Sequence, residues 1–314
     1  LASCIILGLL FTTKPLYAEN VETQDEYQML MYDYQQEAVK NVTVSNTEIK
    51  ERPASLKIND MPSTAIIIGE DEQQRVTKQY PYSAVMFLGI RYSNGTVTTG
   101  TGVLVGPDIM LTAGHVFYHK KFGKAIEVRT YPAMMTEYKT FPKTLDSISG
   151  EWCYPKSWFC GRISLDVSSY NNENDWSVVK LAKRYGDTYG YWGYKANVYD
   201  TKSVNVVGYP INLTKTFFPY LSSGSVVYDQ NTQDPSKSVI EYLADTEAGN
   251  SGSPVFCYYD GSPTVIATHI SGYADAISPT KFNIGRIVNN GIVNCIQYYY
   301  TCLLYTSPSP RDGA

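Results

Sequence analysis

Gly249-Asn250-Ser251-Gly252-Ser253-Pro254 is the stretch on which the reading of the chain turns. A serine is set between glycines, at a place where a side chain would hold a substrate backbone away from the hydroxyl. Gly249 and Gly252 permit a sharp turn, so that the amides of Gly249 and Ser251 can converge on one point. Two amides aimed at a developing oxyanion are what acyl transfer needs, each contributing about 3–4 kcal/mol. A serine hydroxyl stays a weak nucleophile until a base takes its proton. The rest of the chain must therefore provide a base and an acid that orients it.

Both are present. The chain has three histidines, His115, His119 and His269. The first closes Leu111-Thr112-Ala113-Gly114-His115, reached from the apolar run Gly102 to Val105 through the turn Gly106-Pro107-Asp108. Further on, Asn174-Asp175-Trp176-Ser177-Val178-Val179 puts an aspartate just before an apolar strand. The chain order His115, Asp175, Ser251 is that of chymotrypsin and differs from the subtilisin and α/β-hydrolase orders. His115 and His119 have the i, i+4 spacing of a zinc helix, but Val116 stands where such a helix carries its glutamate. Neither a metal nor another cofactor is expected, and His119 is read as a surface residue.

Taken together, Thr112 to His115, Asn174 to Ser177 and Gly249 to Pro254 resemble the trypsin/chymotrypsin-fold serine peptidases. The flanking segments resemble the bacterial glutamyl endopeptidase branch. They are Gly69 to Val76, Val207-Gly208-Tyr209-Pro210, Thr246 and Thr268-His269-Ile270. The resemblance covers residues 66 to 300 or so. It implies two six-stranded antiparallel β-barrels with the site in the cleft between them. It also implies peptide or protein substrates cut after glutamate, less often aspartate. His269 and Thr246 would bind the glutamate carboxylate, with Ile270 and Gly272 on the same pocket wall. The digestive relatives carry an aspartate before the nucleophile that pairs with the new N-terminus; this chain has Asn250. In the glutamyl branch the released amine helps line the acid-binding pocket instead, which places the mature start at Ile66. A glutamate-specific enzyme would not cut between Ala65 and Ile66, so a separate activating protease is implied. Two other readings stay open: the same chemistry with another specificity, and a non-catalytic binding or adhesin role on that scaffold. The intact triad speaks against the second.

Working outward, 43% hydrophobic residues with 18% charged ones build a core readily, and a net charge of −4 gives no reason to expect nucleic acid. The acidity is local: residues 19–65 carry nine acids and four bases, residues 66–301 twenty of each. The apolar run at residues 4–11 is short of the roughly 20 residues that span a bilayer and precedes Leu16-Tyr17-Ala18. It reads as the end of a secretory signal peptide over residues 1–18. The mature protein is expected to be exported, free of membrane and monomeric. Residues 19–65 read as a propeptide, with a short helix over 27–39 and a linker from Ser45 to Pro62. Residues 66–301 form the peptidase domain. Cys302 to Asp312 reads letter for letter as a translated sequencing adapter, so residues 302–314 are set apart.

Within the domain the pattern is all-β. Ala84 to Tyr92 and Thr96 to Val105 flank Ser93-Asn94-Gly95, a hairpin signal. Val255 to Tyr259 and Thr264 to Ile270 flank the turn Asp260-Gly261-Ser262-Pro263. Only Arg286 to Tyr300 reads as helix, with Ile287, Val288, Ile292, Val293 and Ile296 on one side. Setting Cys4 and Cys302 aside leaves Cys153, Cys160, Cys257 and Cys295. An even number in an exported chain suggests disulfides, with three connectivities. Cys153–Cys160 would close a small loop across Pro155, leaving Cys257–Cys295; free buried thiols are the alternative.

Overall fold

The computed structural model describes residues 26–33, 38–45, 73–119, 121–137, 158–160, 174–211, 216–227, 239–274 and 281–301, with backbone alone for those before 46 and for 158–160. Ile66, Cys153, the Ser45 to Pro62 linker beyond Ser45 and the signal segment lie outside the described residues. Two mainly antiparallel sheets, each curled into a half-barrel, make up most of the fold; Thr136–Glu137 and Thr216–Phe217 form a third, two-stranded sheet, and Gly193–Tyr194 adds to the second in parallel. The first runs Ala38–Ser45, Glu26–Asp33, Trp158–Cys160, Ser177–Lys180, Ile109–Thr112, Val97–Gly106, Val85–Tyr92, Gly123–Pro132, Tyr118–His119. The second runs Val239–Tyr242, Lys281–Ile287, Ser262–Ala274, Pro254–Tyr259, Ser203–Gly208, Tyr220–Ser225, Gln74–Arg75.

Local sequence explains most of the turns. Gly95 donates to Tyr92 O at 2.9 Å and Tyr92 donates to Thr96 O at 2.9 Å, closing the expected hairpin. The second hairpin is tighter than expected. Asp260 (φ 49°) and Gly261 (φ 71°) form a two-residue loop, and Ser262 already pairs with Tyr259. Two successive positive φ values give a turn whose twist matches that of the strands it joins.

Two element assignments are corrected. Of the residues read as a helix over 27–39, those described are not helical: the strands Glu26–Asp33 and Ala38–Ser45 pair with each other. Tyr27, Met29 and Met31 alternate with period two, and Val39, Val42, Thr43 and Val44 favour a pleated surface. The C-terminal helix also starts later than Arg286. Arg286 and Ile287 end a strand, and the helix is Asn290–Thr301. Asn289 sets its start: its side-chain oxygen accepts from the Ile292 amide at 3.1 Å, a favourable N-cap. Ile292, Val293, Cys295 and Ile296 are then buried.

One apolar core spans both halves. Phe87, from the first sheet, has its ring 4.4 Å from Phe217 and 5.4 Å from Tyr209. The Tyr209 hydroxyl donates back to Val85 O at 3.3 Å, and the Trp192 indole donates to Pro81 O at 2.7 Å. A smaller cluster, including Val204, Val206, Ile240, Tyr242, Val255 and Ile266, fills the second half-barrel. This division overturns the Cys257–Cys295 disulfide. Cys295 sits in the shared core, whereas Cys257 packs on the smaller cluster, 3.4 Å from Thr201 Oγ1. The two are separate thiols. The Cys153–Cys160 pairing falls outside the described side chains.

Candidate active site

The histidine and aspartate meet because two strands are zipped together next to them. Ser177 pairs with Thr112, so Asp175, two residues before one strand, comes opposite His115, three residues after the other. Close approach requires Gly114: a Cβ there would lie 3.1 Å from Trp176 N and 3.2 Å from Asp175 Oδ1. Asp175, 1% exposed, then holds His115 twice. Its Oδ2 is 2.8 Å from His115 Nδ1, and its Oδ1 accepts from the His115 amide at 2.7 Å. Burial alone would push the His115 pKa down. The Asp175 charge and hydrogen bond more than offset this, and it stands above its ordinary value. With Nδ1 committed to Asp175, Nε2 is the nitrogen left to act as base.

The serine turn belongs to the second half of the molecule but is fastened to the first. Thr101, on the strand Val97–Gly106, donates its amide to Ser251 O at 2.8 Å and its hydroxyl to Gly249 O at 2.9 Å. That hydroxyl also accepts from the Tyr209 amide at 3.0 Å. Gly252, at φ +86°, closes the turn. A Cβ there would collide with Thr112 Oγ1 and Thr101 O and lie 2.9 Å from Ala113 N, two residues before His115. The serine turn is thereby pressed against the histidine segment. Asn250 is buried and serves the turn itself: its amide donates to Glu247 O at 3.0 Å, and its side-chain oxygen accepts from Ser253 Oγ at 3.2 Å.

The amides of Asn250, Gly252 and Ser253 all donate hydrogen bonds. Those of Gly249 and Ser251 donate none among the described residues. Two idle donors flanking a nucleophile are what an oxyanion site consists of.

His269 stands directly behind the serine turn. Gly252 donates to His269 O and His269 donates to Ser253 O, both at 2.8 Å. Its ring is 5% exposed and Nδ1 lies 2.7 Å from the Tyr242 hydroxyl. Burial, with His115 adding to it, pushes the His269 pKa down to about 3, so the ring is neutral. Burial also raises the Tyr242 pKa well above its usual range, so that hydroxyl keeps its proton. With Tyr242 as donor to Nδ1 the imidazole proton is on Nε2; with Tyr242 as acceptor it is on Nδ1.

The other expected pocket residues are placed as follows. The Thr246 hydroxyl donates to Asn283 Oδ1 at 2.7 Å, and Asn283 Nδ2 donates to Ala244 O at 2.7 Å. Thr246 is therefore held by Asn283 and must turn its proton to meet a carboxylate. Ile270 is buried in a bulge between His269 and Ser271, and Gly272 is exposed. Beyond Thr268 the strand Ser262–Ala274 pairs only with Lys281–Ile287 among the described residues. One edge of residues 270–274 is thus without a strand partner among the described residues. Thr101, Tyr242 and Asn283 were not singled out in the sequence; no motif marks a residue that acts only by bracing another. His119 is not a simple surface residue. It is half-buried, stacked on Phe122 at 4.2 Å between ring centres, and 6.3 Å from the His115 ring.

Comparison with known proteins places the chain among peptidases. A family model described as a trypsin-like peptidase domain matches residues 100–266. A Bacillus subtilis protein named extracellular metalloprotease is 31% identical over 268 residues, covering 83% of this chain and 76% of its own length. The Bacillus licheniformis glutamyl endopeptidase is 26% identical, again covering 83% and 76%. A solved Glu endopeptidase structure superposes with a TM-score of 0.56 at 22% identity, covering 75% of this chain and all of its own. Among the described residues no three His, Cys, Asp or Glu side chains are grouped to hold an ion. With the family model spanning more than half of the chain and a relative 31% identical over most of it, this protein belongs to the trypsin-like serine peptidases.

Proposed function

We propose that the chain is an exported serine endopeptidase that cuts after glutamate through an acyl-enzyme. The observation that carries the chemistry is the doubly bonded Asp175–His115 pair beside a serine turn with two idle amides. Ser251 Oγ gives its proton to His115 Nε2 as it attacks the scissile carbonyl. Asp175 keeps the imidazole in the tautomer that can accept it and stabilises the imidazolium that forms. The Gly249 and Ser251 amides receive the oxyanion. His115 returns the proton to the leaving amine, the acyl-enzyme forms, and water repeats the cycle in reverse. That edge of residues 270–274 takes the substrate as an added strand, its backbone bonds holding the scissile bond in register.

Glutamate specificity rests on His269. In this reading Tyr242 donates to Nδ1, and a neutral imidazole with its proton on Nε2 donates to a carboxylate but brings no full charge of its own. A carboxylate leaving water needs charged or multiple donors. The second partner in this reading is the amine released at Ile66, with Thr246 as a third donor once its proton turns from Asn283. The names of the Bacillus licheniformis and Staphylococcus aureus relatives support the specificity, and the apolar run at residues 4–11 supports export. Residues 19–65 serve as the propeptide, removed by another protease.

The test is to profile cut sites of the activated protein on a peptide mixture. Cuts concentrated after Glu, and absent from Ser251→Ala, are expected. Cuts concentrated after another residue would keep the chemistry and overturn the specificity. Protein starting at Ile66 should outperform protein extended by a few residues or acetylated at that amine. Equal rates after Glu for all three would leave the amine no part in the pocket.

A further inference from the structure

The strand Trp158–Cys160 is three residues long, and on its far side from Ser177–Lys180 it would present an open sheet edge. Unpaired edges are liabilities that proteins cover with further chain. Here the cover is the N-terminal segment. Met31 stands opposite Cys160, Tyr32 opposite Phe159 and Asp33 opposite Trp158, antiparallel. Glu26–Asp33 is backed in turn by Ala38–Ser45, which lies against the C-terminal helix Asn290–Thr301.

The register makes this more than a chance contact. Residues directly opposite one another on neighbouring antiparallel strands share a face of the sheet. One such row runs Met31, Cys160, Val178, Leu111, Val103, Val85, and its last four members are completely buried. The next runs Tyr32, Phe159, Val179, Met110, Leu104, again ending in buried residues. The strand pair therefore joins the sheet in a register that prolongs rows of core residues. Within the pair Tyr27 stands opposite Val44 and Met29 opposite Val42, on the face that Met31 shares. The opposite face carries Glu26 with Ser45, Gln28 with Thr43, Leu30 with Asn41 and Tyr32 with Val39. The end at 26–29 and 42–45 is therefore apolar on one face and polar on the other, whereas both faces carry apolar residues where the strand meets Trp158–Cys160.

We propose that the paired strands Glu26–Asp33 and Ala38–Ser45 form a docking unit that seals the edge of the first half-barrel by strand addition. It acts as a folding cap for that half-barrel, and it docks away from the catalytic cleft. Its paired neighbours are Trp158–Cys160 and the C-terminal helix, and neither carries His115, Asp175, Ser251 or His269. Cutting before Ile66 would convert the cap from a tethered element into a ligand whose hold depends on concentration. The claim goes beyond the catalytic reading and stands without it.

The experiment compares full-length variants by thermal unfolding and amide hydrogen exchange. Val42→Asp, on the apolar face, should lower Tm by about 4 °C or more, while Thr43→Asp, on the polar face, should shift it by less than about 1 °C. Met31→Pro, which breaks the added strand, should speed exchange at 158–160 relative to the parent. Equal Tm shifts for the two aspartate variants would overturn the proposal. So would exchange at 158–160 that is the same with and without the proline. Should Met31→Pro fail to fold, the aspartate pair decides, and exchange in the parent gives a second reading. Protection of 26–33, 38–45 and 158–160 together supports the docked strands, and rapid exchange across 26–33 and 38–45 refutes them.

Discussion

At the residue scale the site depends on which nitrogen is committed to which oxygen. Asp175 takes His115 Nδ1 and the His115 amide, so loss of either member of the His115–Ser251 pair removes the whole unit. Ser251→Ala and His115→Ala should lower kcat/KM by roughly 10⁴–10⁶-fold while folding normally. Fluorophosphonate labelling should be lost in Ser251→Ala, and turnover that persists there would remove Ser251 from its role. Tyr242→Phe should lower kcat/KM for glutamate substrates by about 5–10-fold, the value of one net hydrogen bond, with the labelling rate of Ser251 unchanged. His269 and His115 respond to pH with opposite sign. His269 has a folded pKa of about 3, below its unfolded value of roughly 6.5, so as pH falls below about 6.5 the unfolded state binds the proton first. Its effect is to cost stability between pH ~6.5 and ~3, by about 1.4 kcal/mol per pH unit. His115, with a raised folded pKa, contributes stability below its unfolded value and loses it as pH rises through the folded one. Urea unfolding against pH should show a shallower acid-side slope for His269→Gln than for the parent. An unchanged slope would mean that His269 is protonated in the folded state.

At the element scale the serine turn is positioned from outside itself. Its two carbonyls are held by Thr101, which belongs to the other sheet. Thr101→Val keeps shape but leaves Gly249 O and the Tyr209 amide without that hydroxyl. A loss of about 1–3 kcal/mol in unfolding free energy is expected, together with a fall in kcat larger than any change in KM, because the idle amides would no longer be aimed. Unchanged kcat with lowered stability would make Thr101 purely structural. The same scale explains the corrected helix start. Apolar pairs stand on both sides of Asn289-Asn290-Gly291, Ile287 and Val288 before it and Ile292 and Val293 after it, at a spacing that also fits one helix face, so periodicity alone does not place the boundary there. Pairing of Arg286 with Val239 and Thr268, and the Asn289 cap, draw the boundary.

At the scale of the whole molecule the two half-barrels act as one body, because the core runs through Phe87, Tyr209, Phe217 and Trp192. The separation of Cys257 from Cys295 follows from that arrangement, since they face different clusters. Non-reducing peptide mapping should find no Cys257–Cys295 peptide. Cys257→Ser should cost little, and Cys295→Ser should lower Tm by burying a hydroxyl in the shared core. A recovered Cys257–Cys295 peptide would overturn the packing described for both.

What the sequence determined by itself is the part of the protein whose chemistry is local. Gly249 to Pro254, Thr112 to His115 and Asn174 to Ser177 carry turn geometry and side-chain chemistry in neighbouring residues, so the His, Asp, Ser order and the all-β fold were legible. The Asn94-Gly95 hairpin was legible for the same reason. Tertiary structure alone decided whatever depends on residues far apart in the chain. Thr101 meets Gly249 only after two sheets have closed, and Tyr242 meets His269 only across the intervening strand Lys281–Ile287, and no local pattern records a brace of that kind. The N-terminal segment became a pair of strands because a sheet edge more than a hundred residues away was open to it. Cys257 and Cys295 stayed apart because an even cysteine count says nothing about which core each thiol enters.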